Sequence, residues 1–257
     1  MSSSSIIAPA YVYGWPVSDN TATGPRELET PAAVLWDMDG TLVDTEPYWI
    51  AAERAIVEEA GGTWPDELAV QLVGQPLLVS ATDIIANSPV TMSPEGLVEE
   101  LLTRVAAAVR ERGVPWRPGA RELLREARTA SIPSALVTMS WMQLVEPIVE
   151  QLPEGTFSAV VTGENVEHGK PHPEPYLRAA EALGIAPENC VAIEDSPTGV
   201  TSAVRAGVPT VAVPHIVEIP ELPGTVQVES LAGVTLTELA RLRNAAARTL
   251  LKERTGG

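Results

Sequence analysis

The chain has 257 residues, 45% of them hydrophobic, and a formal net charge of −17. This length and apolar content are sufficient for a substantial core, while the negative charge argues against nucleic acid or an anionic membrane surface as a partner. The single cysteine, Cys190, excludes an internal disulfide, and no segment reaches the roughly 18 apolar residues of a membrane span, so we expect a cytoplasmic protein.

The first part of the chain predicts an extension followed by an interrupted strand–helix pattern. Residues 1–32 are rich in Ser, Thr, Pro and Ala without a sustained period, which is typical of a flexible N-terminal extension. A strand is predicted at residues 34–36. From residue 45 to residue 116, apolar positions recur at helical spacing, and the longest predicted helix begins after Ser93 and ends at Gly113. The pattern predicts a helical domain inserted after the first strand.

Beyond residue 117, helical and strand patterns alternate regularly. Four helix–strand pairs follow one another, with the strands in the segments SALVTMS, SAVVTG, CVAIEDS and PTVAVP. Continuous apolar strands separated by helices predict a parallel sheet covered on both faces. We therefore expect an α/β, Rossmann-like core formed by residues 33–44 and 117–257, with a helical cap domain at residues 45–116. The last segment of the chain predicts an amphipathic helix.

Polar residues follow four of the predicted strands, where the ligands of an open parallel sheet bind. Several carboxylates at one point repel one another unless a cation joins them, and an all-oxygen donor set suits Mg²⁺. A lysine opposite such a carboxylate keeps it ionised and neutralises a transferring phosphoryl group. The residues at this predicted edge, in chain order, are Asp37, Asp39, Thr138, Ser140, Lys170, Glu194, Asp195 and Ser196.

These residue types have defined uses in phosphoryl transfer. An ionised Asp37 can attack phosphorus, and Asp39 can act on the leaving oxygen as general acid and later on water as base. Thr138 and the backbone N–H groups after it can donate to phosphate oxygens. Of the seventeen basic residues in the chain, only Lys170 and Lys252 are lysines. Either position 170 needs a compact ammonium, or the preference for arginine reflects codon usage alone.

Four motifs, DMDGTLVDT, LVTMS, GKPHPEPY and VAIEDSPTGV, occur in this order and resemble those of the haloacid dehalogenase superfamily, in particular its helical-cap phosphatases. The resemblance covers residues 33 to about 235. It implies that Asp37 is the nucleophile that forms an aspartyl-phosphate, and that Asp39 is the acid/base whose backbone carbonyl also meets Mg²⁺. It further implies that Asp195 is a direct metal ligand, with Glu194 beside it as ligand or supporting residue.

The remaining motif positions carry over in the same way. Thr138 and the amide of Met139 resemble the phosphate-binding groups, and Lys170 resembles the lysine that bridges nucleophile and phosphate. Gly40 resembles the turn after the acids, and we interpret Asp44 as a structural or hinge residue and not as a chemical one.

The residues present distinguish among the branches of this superfamily. The dehalogenases do not use a second aspartate such as Asp39 as acid/base. Mutases resembling β-phosphoglucomutase use a histidine and a lysine of the cap, whereas Trp49 stands at that histidine position here and residues 45–116 contain neither type. The lysine that phosphonoacetaldehyde hydrolases need is absent as well. The sequence predicts a Mg²⁺-dependent phosphatase; a sugar phosphomutase with a different cap acid/base and a non-catalytic binding module of the same fold remain the alternatives.

The inserted segment predicts the substrate class. Its four arginines stand against eleven acids, which favours a neutral leaving group, such as a sugar or polyol, over a second phosphate. Gln75, in the stretch VGQPL, resembles the cap loop that faces the active site and is predicted to contact substrate. His168 and His172, on either side of Lys170, are interpreted as loop residues. The expected partner is a small phosphate ester, and the expected assembly a monomer or homodimer.

Overall fold

The computed structural model describes residues 11–12, 30–73 and 75–255, without the side chains of 11–12 and 253–255. The strands are β1 (Tyr11–Val12), β2 (Ala33–Trp36), β3 (Ser134–Val137), β4 (Ala159–Val161), β5 (Cys190–Glu194), β6 (Thr210–Ala212) and β7 (Thr225–Gln227). The α-helices are α1 (Glu46–Glu59), α2 (Asp66–Leu72), α3 (Leu77–Asn87), α4 (Pro94–Arg112), α5 (Ala120–Thr129), α6 (Met142–Val149), α7 (Glu174–Leu183), α8 (Pro197–Arg205) and α9 (Leu236–Thr255).

The described residues fall into two compact units. The first unit comprises those of Met1–Val43, Trp116–Trp141 and Leu152–Gly257 and contains the sheet. The second comprises those of Asp44–Pro115 and Met142–Gln151, so it holds helices α1 to α4 and also α6.

The sheet of the first unit has the order β1-β4-β3-β2-β5-β6-β7. All neighbouring pairs from β4 to β7 are parallel, whereas β1 lies antiparallel to β4. The predicted α/β class with a parallel sheet is therefore confirmed. The chain runs from β2 to β3 and β4 on one side of β2, and then crosses to β5 on the other side. In open α/β sheets, ligands bind beyond the carboxyl ends of the strands at such a reversal.

The central strand β2 is buried on both faces because helices cover both sides of the sheet. All four of its residues have no exposed surface, as expected for a parallel strand with a continuous apolar sequence. On one face, Ala33 and Leu35 pack in a cluster with Tyr176 and Ala179 of α7. On its other face, the buried indole of Trp36 donates from Nε1 to Ser134 Oγ at 3.2 Å. The end of β2, where the first acids follow, is thereby held rigidly.

The second unit is a helical layer built around α4. This helix begins as its sequence predicts, because Ser93 Oγ accepts a hydrogen bond from Gly96 N at 3.1 Å. It ends at Gly113, whose φ of 92° is accessible to glycine. Helix α6 belongs to the same unit: Gln151 Nε2, just beyond it, donates to Val109 O at 2.8 Å. Helix α6 thus groups with the inserted helices, whereas the sequence analysis placed it in the core with the rest of residues 117–257.

Several short elements differ from the sequence expectation. Helix α2 and strands β1 and β7 were not predicted, whereas the C-terminal helix was. Within the expected flexible extension, Tyr11 and Val12 pair with β4; residues 1–10 and 13–29 lie outside the described residues, as does Gly74 of the VGQPL stretch. No helix in the described part of the chain combines the length and apolarity required to cross a membrane.

Glu53 of α1 is a buried carboxyl group in the second unit. The residue is 6% exposed, and its Oε2 accepts a hydrogen bond from Trp64 Nε1 at 3.2 Å. Burial raises the pKa of Glu53 to about 7, although the Trp64 hydrogen bond acts in the opposite direction. The folded protein therefore holds this proton more tightly than the unfolded chain, in which the ordinary pKa of 4.5 applies.

We predict that Glu53→Gln stabilises the protein selectively at high pH. The stabilising effect of the protonated carboxyl is complete below pH 4.5 and is lost as the pH rises through about 7. At pH 8, Glu53→Gln should exceed the wild type in free energy of unfolding by on the order of 2–3 kcal/mol, with a much smaller difference at pH 4.5. Urea titrations at both values measure this.

The control is Glu58→Gln on the exposed side of the same helix, which should show no such pH dependence. An equal effect of Glu53→Gln at both pH values would contradict the prediction.

Candidate active site

Asp37 lies directly after β2, at the carboxyl end of the central strand. Its backbone N–H donates to Ile193 O at 3.1 Å, which continues the pairing between β2 and β5. Its Oδ1 accepts a hydrogen bond from Lys170 Nζ at 2.6 Å. Its Oδ2 is buried, and no described residue donates a hydrogen bond to it. Oδ1 is thus bound to the Lys170 ammonium, whereas the buried Oδ2 has no hydrogen-bond donor among the described residues.

Lys170 is the positive charge of this site. Its Nζ donates to Asp37 Oδ1 at 2.6 Å, to Glu194 Oε1 at 2.7 Å and to Val137 O at 2.9 Å, so each ammonium proton has an acceptor. The side chain is 7% exposed. Burial alone would lower the pKa of Lys170, but the attraction of the Asp37 and Glu194 carboxylates outweighs it and raises the pKa. The ammonium therefore remains charged.

Glu194 ends β5 with no exposed surface, and both of its oxygens accept hydrogen bonds. Oε1 accepts from Lys170 Nζ and from Tyr176 Oη at 2.8 Å. Oε2 accepts from the backbone N–H groups of Asp195 at 3.1 Å and Ser196 at 3.4 Å, and from Ser196 Oγ at 3.3 Å. With this many donors around it, Glu194 is better suited to compensate the charge of Lys170 than to be the direct metal ligand named among its predicted roles.

Gly40 and Gly199 permit close approaches to the two acids of β5. Gly40 has a φ of +86°, and a Cβ there would overlap Asp195 Oδ2. A Cβ on Gly199, in the first turn of α8, would overlap the carboxylate of Glu194. Glycine is needed at both positions, so the motif glycines are explained by contacts with the acidic residues.

Asp39 and the loop after β3 face each other across the site. Ser140 Oγ donates to Asp39 Oδ2 at 2.5 Å, and Ser140 N donates to Thr138 Oγ1 at 3.0 Å. Thr138 is 1% exposed. The adjacent N–H of Met139 has no acceptor among the described residues. The loop thus presents a hydroxyl and an available amide donor beside the second acid.

Asp37, Glu194 and Asp195 form an acidic cluster that could hold a divalent cation. One oxygen from each lies within 4.8 Å of the others, and Lys170 is the single ammonium against three carboxylates. Burial and the neighbouring carboxylate of Glu194 raise the pKa of Asp37 well above its ordinary value, against the lowering effect of Lys170. The same two causes raise the pKa of Asp195 to about 7. A bound cation would reduce the repulsion among the carboxylates and would be coordinated by Asp37 Oδ2, which accepts no hydrogen bond from the described residues.

The structure brings most of the predicted site residues together in the first unit. The set is Asp37, Asp39, Thr138, Met139, Lys170, Glu194 and Asp195. Asp44 and Gln75 belong to the second unit, where the Asp44 N–H donates to Pro115 O at 2.9 Å and Gln75 is exposed. Their roles stay predictions.

Tyr176 was not identified from sequence, and Ser140 was placed at the strand end without a role. Tyr176 lies inside the GKPHPEPY motif, yet its hydroxyl reaches Glu194 only because α7 packs on the sheet. Ser140 follows Thr138 by two residues at the end of β3, and the structure adds its hydrogen bond to Asp39.

The chain is similar to known phosphatases in sequence and to a solved structure in fold. The chain is 34% identical to hexitol phosphatase A of Escherichia coli over 209 residues, which cover 79% of this chain and 93% of that one. It is also 34% identical to a probable pseudouridine-5′-phosphatase of Drosophila melanogaster, covering 70% and 80%. The crystal structure of a putative β-phosphoglucomutase from Thermotoga maritima superposes with a TM-score of 0.68, at 28% identity and coverage of 83% and 98%.

The family model of haloacid dehalogenase-like hydrolases matches residues 34–213. This range includes the acidic cluster, the lysine and the loop after β3, and so confirms the relationship predicted from the four motifs. The chain belongs to the haloacid dehalogenase-like hydrolase family.

Proposed function

We propose that the protein is a Mg²⁺-dependent phosphatase that hydrolyses small monophosphate esters of the sugar or polyol class through an aspartyl-phosphate on Asp37. The observation that carries this proposal is the buried Asp37, with Oδ1 bound to Lys170 at 2.6 Å and Oδ2 without a donor among the described residues. The names of the two relatives, both phosphatases, agree with the expected enzyme class of phosphoric monoester hydrolase.

The first chemical step is transfer of the phosphoryl group to Asp37. A carboxylate oxygen of Asp37 attacks phosphorus, and the bond from phosphorus to the ester oxygen breaks. Asp39, protonated at this stage, gives its proton to the departing alkoxide, so a neutral alcohol leaves. The hydrogen bond from Ser140 Oγ at 2.5 Å orients Asp39 for this transfer.

The second step releases phosphate. Asp39, now ionised, takes a proton from a water molecule as that water attacks the aspartyl-phosphate. The bond between phosphorus and the Asp37 oxygen breaks, which regenerates the carboxylate, while Asp39 keeps the proton that it took from water. The net reaction consumes one ester and one water and yields an alcohol and phosphate.

Other residues of the site supply charge and position. Lys170 lowers the pKa of Asp37 against the effect of burial and so favours its ionised form. Thr138 and the Met139 amide are placed to donate to phosphate oxygens. Asp37, Asp195 and the backbone carbonyl of Asp39 would hold Mg²⁺. When bound, Mg²⁺ supplies the positive charge that offsets the negative charge of the phosphoryl group.

The contacts of the arginines in the second unit favour the hypothesis of a neutral leaving group. Each of these arginines contacts an acidic or aromatic side chain of the same unit. Arg54 pairs with Asp66, and Arg110 pairs with Glu150 at 3.4 Å. Arg104 binds the carboxylates of Glu59 and Glu100, each at 2.7 Å. Arg112 lies over the ring of Tyr48 at 6.0 Å. These contacts reduce the capacity of the unit to recognise a second phosphate. A hexitol and a nucleoside, the groups named for the two relatives, are uncharged as leaving groups.

A sugar phosphomutase is the second candidate, because a structural neighbour is named a putative β-phosphoglucomutase. A mutase must return the phosphoryl group to a sugar hydroxyl and exclude water from the aspartyl-phosphate. The residues of the insertion offer neither histidine nor lysine for that acid–base work. Hydrolysis is therefore the better supported outcome.

The substrate prediction is tested by phosphate release from a panel of sugar, polyol and nucleoside monophosphates and sugar bisphosphates. With Mg²⁺ we expect kcat/KM for the best polyol or sugar monophosphate to exceed that for a bisphosphate by roughly tenfold or more. Activity should be lost with EDTA and restored by Mg²⁺. Comparable kcat/KM for both classes would contradict the neutral leaving group, and isomerisation without phosphate release, followed by ³¹P NMR, would favour the mutase.

Asp37→Asn should abolish turnover, because an amide is a poor nucleophile for phosphorus. We expect a loss of about 1,000-fold or more in kcat, with the fold retained by circular dichroism. The matched control is Asp44→Asn, which makes the same change seven positions along and should keep activity within about tenfold of the wild type. Full activity in Asp37→Asn would end the proposal of an aspartyl-phosphate.

Lys170→Arg tests whether charge alone is sufficient at this position. A planar guanidinium cannot place three donors on acceptors that lie 2.6, 2.7 and 2.9 Å from one nitrogen. We expect kcat to fall on the order of 100-fold although the charge is kept. Lys252→Arg, at the other lysine of the chain, is the control and should leave kcat unchanged. Wild-type kcat in Lys170→Arg would show that the compact ammonium is not required.

A further inference from the structure

His168, His172 and Glu174 lie together between the site lysine and helix α7. The two imidazole rings have centroids 4.6 Å apart and planes tilted by 34°. One ligand atom from each of the three residues lies within 4.8 Å of the others. The acidic cluster around Asp37 is a separate group of residues. The sequence interpretation of both histidines as loop residues leaves this convergence unexplained.

The carboxylate of Glu174 is held in place by its own hydrogen bonds. It accepts from the backbone N–H groups of Glu167 and His168, each at 2.9 Å, and from Arg178 Nε at 2.8 Å. Its side chain is 15% exposed. Such outer donors fix the orientation of a metal-binding carboxylate, so the oxygen on the side of the His168 ring is already positioned.

The contacts of the imidazole rings, by contrast, are weak. The His168 Nδ1 to Glu174 Oε2 distance is 3.3 Å, and the Glu174 N–H reaches His172 Nδ1 at 3.3 Å. Both are at the long end for a hydrogen bond. The His168 side chain is 59% exposed, so its ring can rotate without repacking the core. Little is therefore lost if a ligand replaces these contacts.

We propose that His168, His172 and Glu174 form a second metal site, one that takes a transition metal ion such as Zn²⁺, Ni²⁺ or Cu²⁺. Two imidazole nitrogens and a carboxylate oxygen are a donor set that these ions prefer, whereas Mg²⁺ prefers the all-oxygen cluster. Bonds of about 2.0–2.2 Å require the three donor atoms to approach one another more closely, and both histidine side chains are exposed and free to adjust.

A metal ion bound at this site would affect the loop that carries Lys170. Lys170 lies between the two histidines, and the backbone around it is anchored: Ser202 Oγ donates to His172 O at 2.5 Å and Arg205 Nη1 to Pro171 O at 3.4 Å. An ion bound by His168 and Glu174 would join the start of this loop to the first turn of α7. The metal would thus restrain the segment that carries Lys170.

The first test is calorimetric titration of tag-free, full-length protein with Ni²⁺ in the presence of saturating Mg²⁺. We expect one binding event that weakens by roughly tenfold or more in His168→Ala, which keeps the backbone N–H that donates to Glu174. His215→Ala removes the third histidine of the chain and should bind as the wild type does. Equal affinity in the wild type and His168→Ala would overturn the proposal.

The second test distinguishes the proposed site from the acidic cluster. One equivalent of Cu²⁺ should give an electron paramagnetic resonance spectrum with hyperfine coupling to imidazole nitrogen, which carboxylate ligands alone cannot produce. The coupling should change in His168→Ala and in His172→Ala and persist in His215→Ala. A spectrum with oxygen ligands alone in the wild type would assign the copper to the acidic cluster and refute the site.

Discussion

The site depends on a buried ammonium that touches two carboxylates at once. Lys170 Nζ lies 2.6 Å from Asp37 Oδ1 and 2.7 Å from Glu194 Oε1, and Glu194 has no exposed surface. Two buried acids without this cation would take up protons, because desolvation strongly disfavours their charged forms. Lys170 does not neutralise the site fully, since Asp195 adds a third carboxylate. The arrangement is thus an incomplete charge balance that favours a divalent cation.

The sheet order explains why a lysine can perform this role. Lys170 follows β4, yet its ammonium contacts the ends of β3, β2 and β5, through Val137 O, Asp37 and Glu194 respectively. Neighbouring strands lie about 4.8 Å apart, so the contact requires a long, flexible stem and a small charged end. The hydrogen bond to Val137 O is made along this path. A shorter side chain from the same loop would not reach the central strand.

Most of the core and the site could be predicted from sequence because their signals are local. Continuous apolar strands between amphipathic helices indicated the parallel sheet, and acids directly after β2 and β5 had to lie at one edge. The features that were missed depend on tertiary contacts or on very short elements. Strands β1 and β7 are two and three residues long, too short to show a period. The Tyr176 hydroxyl meets Glu194 only through the packing of α7. Helix α6 groups with the inserted helices through tertiary contacts such as that of Gln151 with Val109 O.

The distribution of charge links the acidity of the chain to its substrate. A formal net charge of −17 repels phosphate esters at long range, so attraction has to be local. In the second unit, Arg54, Arg104 and Arg110 are paired with carboxylates. In the first unit, Lys170 and a cation held by the acidic cluster can offer positive charge to one phosphoryl group. Lys170 and that cation serve a single phosphoryl group, which agrees with the proposed preference for esters whose remaining part is neutral.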